Sequence, residues 1–226
     1  MNMEAKSYVT QVNGVRLFCE EKGVGEPLIL LHGNGEDHHI FDAIVLRLAE
    51  FYQVYAIDSR NHGQSEVTED YSYETMARDV LAFAAEKGLV KPHILGFSDG
   101  AIIGLLMAME SVASLGRLVL LGINLKPEDF TDEALAWVSE MYEETKDPLF
   151  RMMLEQPSIA LEDTARVANP VLLVAAENDI FKPESFERLA AALPNAVLRV
   201  MEGHEHDSYI TGTDILFPVV RDFLEG

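Results

Sequence analysis

At 226 residues, 48% hydrophobic and 24% charged, the chain has a globular composition and enough length to bury one full α/β core. No apolar run approaches the ~18 residues a membrane span requires, and a formal charge of −21 with scattered basic residues argues against nucleic acid and anionic membrane surfaces as partners. The start, MNMEAKSYVT, lacks a basic region followed by an apolar stretch, and the lone Cys19 has no partner for an internal disulfide, so a cytoplasmic location is expected.

Two alternating segments, SYVTQV and VRLFCEE, flank Asn13 and Gly14, a pair suited to the two positive φ values of a tight hairpin. Short apolar runs then alternate with amphipathic stretches: PLILLHG, IFDAIVLRLAEF, QVYAIDSR, YETMARDVLAFAAEKG, HILGFS, GAIIGLLMAMES and RLVLLGIN. Runs this short and apolar, alternating with helix-length periodic segments, predict buried parallel strands joined by crossover helices, a doubly wound α/β sheet. Residues 125–169 carry no strand pattern; DEALAWVSEMYEETKD and LFRMMLEQ have helical spacing, which predicts a helical cap insertion within a single domain spanning 1–226. A second βα series closes the chain in PVLLVAAEND, PESFERLAAALP, AVLRVMEG and DILFPVVRDFLE.

The chemistry centres on GFSDG at 96–100, which sits between a buried strand and the helix after it. A sharp strand-to-helix turn crowds the backbone and demands small residues at Gly96 and Gly100, and it lifts the Ser98 hydroxyl clear of the sheet at a helix N-terminus. Ser98 is thereby a candidate nucleophile. As a plain helix N-cap, Ser would serve equally well.

Four motifs in register resemble the α/β-hydrolase superfamily over nearly the whole chain apart from the insertion. LLHGNG at 30–35 resembles its HGxG loop, DSRNHGQS at 58–65 its DxRGxGxS turn, GFSDG its nucleophile elbow, and VAAEND leads into its acid position. One departure is Asn61, where the family turn has Gly; Asn is the non-glycine residue that best tolerates a left-handed backbone.

A serine needs a histidine base and a carboxylate to orient that base. The resemblance implies Asp179 as the acid, with Glu177 as a nearby competitor, since the preceding strand runs into the uncharged Asn124. MEGHEHDSY offers two histidines: aligning Gly203 with the family's glycine implies His206 as the base, with Asp207, Ser208 and Tyr209 opening the final helix, and His204 as the alternative base. The resemblance also implies an oxyanion hole made by the backbone amides of Asn34 and Asp99. The Asp99 carboxylate, beside the nucleophile, is expected to disfavour anionic substrates relative to neutral or cationic ones.

Glu36, Asp37, His38 and His39 form a polar cluster that lines the entrance or is solvated. No metal is expected there, because adjacent histidines rarely point the same way and no two-histidine helical spacing occurs. Trp137, Met141, Met152 and Met153 of the insertion are candidate substrate contacts, or simply pack the helices onto the body.

The resemblance therefore implies a serine hydrolase acting on a small-molecule acyl ester, thioester or amide without a cofactor. Superfamily members that attack with an Asp at the elbow are set aside by Ser98, whereas carbon-carbon bond hydrolases and hydroxynitrile lyases keep the serine. A non-catalytic small-molecule-binding or sensing module is the alternative.

Overall fold

The alternation of apolar runs and amphipathic stretches becomes a wound sheet in the computed structural model, which describes residues 4–226. β1 (Lys6–Val12) and β2 (Val15–Lys22) pair antiparallel about Asn13 and Gly14, whose φ values of 44° and 78° supply the hairpin turn. There follow β3 (Glu26–Leu31), α1 (Asp42–Leu48), β4 (Tyr52–Ile57), α2 (Tyr73–Glu86), β5 (His93–Phe97), α3 (Asp99–Glu110) and β6 (Leu118–Leu121). Next come α4 (Asp132–Thr145), α5 (Pro148–Glu155), β7 (Val171–Asn178), α6 (Pro183–Ala192), β8 (Ala196–Glu205) and α7 (Phe217–Glu225). The eight strands lie in the order β1-β2-β4-β3-β5-β6-β7-β8, with β2 antiparallel to β4 and every pairing from β4 to β8 parallel.

Because side chains alternate across a strand, β3 feeds both layers: Ile29 and Leu31 join the core beneath α2 and α3, while Leu28 and Leu30 join the core beneath α1 and α7. Both faces are covered, which is why the central strands read as unbroken apolar runs. The strand carboxyl ends, where ligands bind in such sheets, carry the loops after β3, β5, β7 and β8.

Between β6 and β7, α4 and α5 pack on one another; the only strand-like feature among the described residues of this segment is a single bridge from Phe130 to Phe181. Thr131 Oγ1 caps α4 by accepting from the Ala134 amide at 3.2 Å. Asp147 caps α5 through the Leu149 amide at 2.9 Å, with Pro148 at the first helical position.

One boundary differs from the sequence expectation. Asp207, Ser208 and Tyr209 do not open the last helix; they lie in turns, and α7 begins only at Phe217. A single helical turn closes from Thr211 N–H to the Asp207 carbonyl, and Gly212, at φ 67°, then diverts the chain while Tyr209 and Ile210 enter the core.

Candidate active site

The turn after β5 forces Ser98 into an uncommon backbone conformation, φ 51° and ψ −114°, immediately before α3 begins at Asp99. Small neighbours permit it: a Cβ on Gly96 would strike the Gly100 carbonyl, and one on Gly100 would strike the Leu31 carbonyl. The elbow thus seats α3 against β3 and presents the Ser98 hydroxyl at a cavity.

His206, at the end of β8, meets that hydroxyl. Its Nε2 lies 3.2 Å from Ser98 Oγ and its Nδ1 2.7 Å from Asp179 Oδ1. Asp179 is buried after β7, where its carboxylate also accepts the amides of Ala176 at 3.0 Å and Phe181 at 3.3 Å. A carboxylate so placed accepts a hydrogen bond from Nδ1–H, which keeps the proton on Nδ1 and leaves Nε2 free to accept the serine proton. The ring is held by Phe97, tilted at 4.9 Å, and Phe181, edge-on at 5.4 Å. Gly122, just past β6, supplies the floor: a Cβ there would lie 2.5 Å from His206 Cε1.

The competing residues face elsewhere. His204 Nδ1 pairs with Ser208 Oγ at 3.0 Å, and Glu177 accepts the Gly203 amide at 2.7 Å, so neither joins the Ser98 group.

The loop after β3 reaches the same point from the other side. Asn34 donates its side-chain amide to Asp99 Oδ2 at 3.0 Å, and the buried Tyr73 hydroxyl donates to Asp99 Oδ1 at 2.7 Å. Burial raises the Asp99 carboxyl, partly offset by those two hydrogen bonds. Here the expectation from sequence is corrected: the Asp99 carboxylate is turned into the protein between Tyr73 and Asn34 and does not line the cavity. As the first residue of α3, Asp99 keeps a backbone N–H with no acceptor in its own helix.

Glu36 takes the place facing the cavity that Asp99 lacks. Its Oε2 accepts the Gly33 amide at 2.9 Å, and its own amide donates to the Gly33 carbonyl at 3.3 Å, closing the loop on itself. Burial first, then the nearby carboxylates of Asp207, Asp99 and Asp37, push its carboxyl up to about 7.

Behind the loop, the turn after β4 is a buried polar hub. His32 accepts the Ser59 amide on Nε2 at 3.0 Å and donates from Nδ1 to the Gly33 carbonyl at 2.8 Å; burial, with His62 beside it, pushes the ring down to about 4. Asp58 holds the His38 amide and ring, while Arg60 makes a two-pronged pair with Asp79 at 2.6 and 2.8 Å. Asn61 takes φ 68°, the left-handed conformation expected of it, and the space beside Asp58 leaves no room for a side chain at Gly63.

Contrary to the expectation for adjacent histidines, the His38 and His39 rings lie together, 4.1 Å apart, and with Asp37 offer ligand atoms within 4.8 Å of one another. Their Nδ1 atoms are already engaged, by Asp58 and by Asp42.

The cavity at Ser98 measures about 770 Å³. Trp137 and Met153 line it, whereas Met141 and Met152 do not. Both methionines of α5 are buried in the same core, but consecutive helical residues point about 100° apart, so Met153 also reaches the cavity and Met152 does not; Met141 lies one turn beyond the stretch of α4 that reaches it. The sequence reading missed Gly122, Phe97, Phe181 and Tyr73, whose roles depend on contacts between elements far apart in the chain. Among the described residues no helix is long and apolar enough to cross a membrane.

The family model described as "alpha/beta hydrolase fold" matches residues 26–156. Among curated proteins, ethanol acetyltransferase 1 of Wickerhamomyces ciferrii is 35% identical over 88 residues, 38% of this chain and 22% of that protein. The N-formylmaleamate deformylase of Pseudomonas putida is 35% identical over 111 residues, 48% of this chain and 41% of that protein. The match thus spans less than half the length of either relative. A solved carboxylesterase from Bacillus subtilis superposes with a TM-score of 0.85 over 99% of this chain and 92% of that one, at 14% identity, a likeness of fold alone.

Proposed function

The chain belongs to the alpha/beta hydrolase family, and we propose that it is a serine hydrolase cleaving a small acyl ester, thioester or amide through an acyl-enzyme on Ser98. The observation that carries this reading is the continuous line from Asp179 through His206 to Ser98, at 2.7 and 3.2 Å, opening on a cavity.

In the first half-reaction the Ser98 oxygen bonds to the substrate carbonyl carbon while its proton passes to His206 Nε2. The carbonyl π pair moves onto oxygen, where the Asn34 and Asp99 amides receive it. Collapse of this intermediate breaks the bond to the leaving group, which takes the proton from His206. Water then repeats the sequence on the acyl-enzyme, giving the free acid and restoring Ser98. Asp179 holds the His206 tautomer throughout. Residues 125–169 serve as a small helical cap that walls the cavity with Trp137 and Met153. A lone, buried Cys19 fits a cytoplasmic setting.

Stopped-flow hydrolysis of p-nitrophenyl butyrate, with acid quenching and peptide mass mapping, tests the covalent step. The expected result is a burst and a butyryl adduct on the Ser98 peptide, both absent in Ser98→Ala. A folded protein that binds the ester without turnover would replace this reading with that of a sensing module.

The relative named as an ethanol acetyltransferase points to a second fate for the same acyl-enzyme, attack by an alcohol in place of water. Formation of ethyl butyrate when ethanol is present measures that partition.

A further inference from the structure

We propose that the cavity over Ser98 selects acyl substrates that carry an ammonium group, an inference that rests on the hydrolase reading and refines it. The charge lining this cavity has one sign. Besides Asp179 and Glu36, whose carboxyl is pushed up to about 7, the acidic residues Glu133, Asp147, Glu205 and Asp207 line it, and no lysine or arginine does. None of these last four takes part in an ion pair among the described residues. Lys146 and Arg151, which flank Asp147 in sequence, are engaged elsewhere, with Glu143 and Glu155. Carboxylates left unpaired around a concave, partly apolar site focus a negative potential onto whatever enters it.

A second feature points to the same ligand. Trp137, 54% exposed, meets Phe150 edge-on at 5.8 Å, and both rings line the cavity together with Phe130. An exposed indole on a wall ringed with acids offers its face to a cation as well as apolar area to its methyl groups. Each of these features alone has an ordinary explanation, since acids keep a surface soluble and aromatics pack a cap. Their convergence around one catalytic cavity selects for positive charge close to apolar carbon, which is the chemistry of an alkylammonium. The same field opposes a free carboxylate or phosphate on the substrate. The preference first assigned to Asp99 therefore has a different origin, in the cavity wall.

The test compares substrates of matched shape and different charge. The choline ester pair is acetylcholine and 3,3-dimethylbutyl acetate. The acyl-side set is the p-nitrophenyl esters of 4-(trimethylammonio)butanoate, 5,5-dimethylhexanoate and glutarate. Within at least one series the cation is expected to exceed its neutral isostere in kcat/KM by about tenfold at low salt, with the anion below both. The advantage shrinks toward parity in 0.5 M NaCl, at about a 4 Å screening length, and in the double variant Glu133→Gln, Glu205→Gln.

Equal kcat/KM for cation and isostere in both series, with neutral esters still turned over, overturns the ammonium inference and leaves the hydrolase reading standing. If no ester is turned over, the hydrolase reading fails and binding decides the charge question. Trp137 is the only tryptophan in the chain, so its fluorescence reports the cavity wall directly. Quenching by choline at concentrations where 3,3-dimethylbutanol has no effect supports the ammonium site, and equal response to the two overturns it.

Discussion

The side-chain amide of Asn34 donates to the Asp99 carboxylate at 3.0 Å, so the two residues assigned to the oxyanion are tied to each other by their own side chains. Tyr73, from α2, fastens the same carboxylate at 2.7 Å. Donors aimed in advance at a developing charge act on the transition state more than on the ground state. Tyr73→Phe is therefore expected to lower kcat by about tenfold with little change in KM. Steady-state kinetics with p-nitrophenyl butyrate check this, alongside near-ultraviolet circular dichroism to establish native packing. An unchanged kcat would show that the tie does not position the donors.

Ser98 sits at φ 51° and ψ −114°, a conformation that costs a residue with a side chain of order 1 kcal/mol or more. Glycine adopts it freely. Ser98→Gly should therefore unfold at a higher temperature than Ser98→Ala, by about 1 kcal/mol of stability, although both lack turnover. Thermal unfolding of the two variants under one condition decides the matter, and equal midpoints would mean that the elbow stores no strain.

Gly122 underlies the His206 ring. Alanine there would set a Cβ 2.5 Å from Cε1 and 2.9 Å from Nδ1, on a residue at φ 57°. The imidazole is the partner free to yield, so Gly122→Ala is expected to keep the fold and to cost about 100-fold in kcat through misplacement of the base. A variant with full turnover would mean that the ring has another seat within reach of Ser98.

Glu36 gives a pH-dependent signature. Its folded carboxyl titrates near 7, against an ordinary value of 4.5, because it is buried beside Asp207, Asp99 and Asp37, with only the Gly33 amide opposing. Between those values the folded chain keeps a proton that the unfolded chain has lost, so this group's contribution to stability falls as pH rises through that window. His32, pushed down to about 4, acts with the opposite slope below about 6.5, which makes comparison with a variant necessary. Glu36→Gln keeps an acceptor for the Gly33 amide and removes the titration. Its melting temperature relative to the wild type should rise from pH 5 to about pH 7 and level off above that, and parallel curves would contradict the assignment.

Local rules in the sequence made the scaffold legible. Asn13 and Gly14 signal the hairpin, and GFSDG between an apolar run and a helix signals the elbow, because backbone sterics alone demand those residues there. The final helix was misjudged for a local reason as well: Gly212 interrupts a helical turn that Asp207 begins. The Asp99 charge was misread because its direction depends on Tyr73, 26 residues away, and on Asn34, 65 residues away. Gly122 carries no signal in LLGIN; its meaning comes only from a ring delivered by β8. Met152 and Met153 are indistinguishable by composition, and the phase of α5 separates them.

Every step of the mechanism depends on Ser98 acting as a nucleophile activated by His206. Labelling the folded wild type, Ser98→Ala, His206→Ala and His204→Ala with a fluorophosphonate, followed by peptide mapping, tests it most directly. A single adduct on Ser98 is expected in the wild type, with undiminished labelling in His204→Ala, none in Ser98→Ala and a rate reduced by about 100-fold or more in His206→Ala. An unlabelled wild type, or labelling that depends on His204 and not on His206, would contradict it.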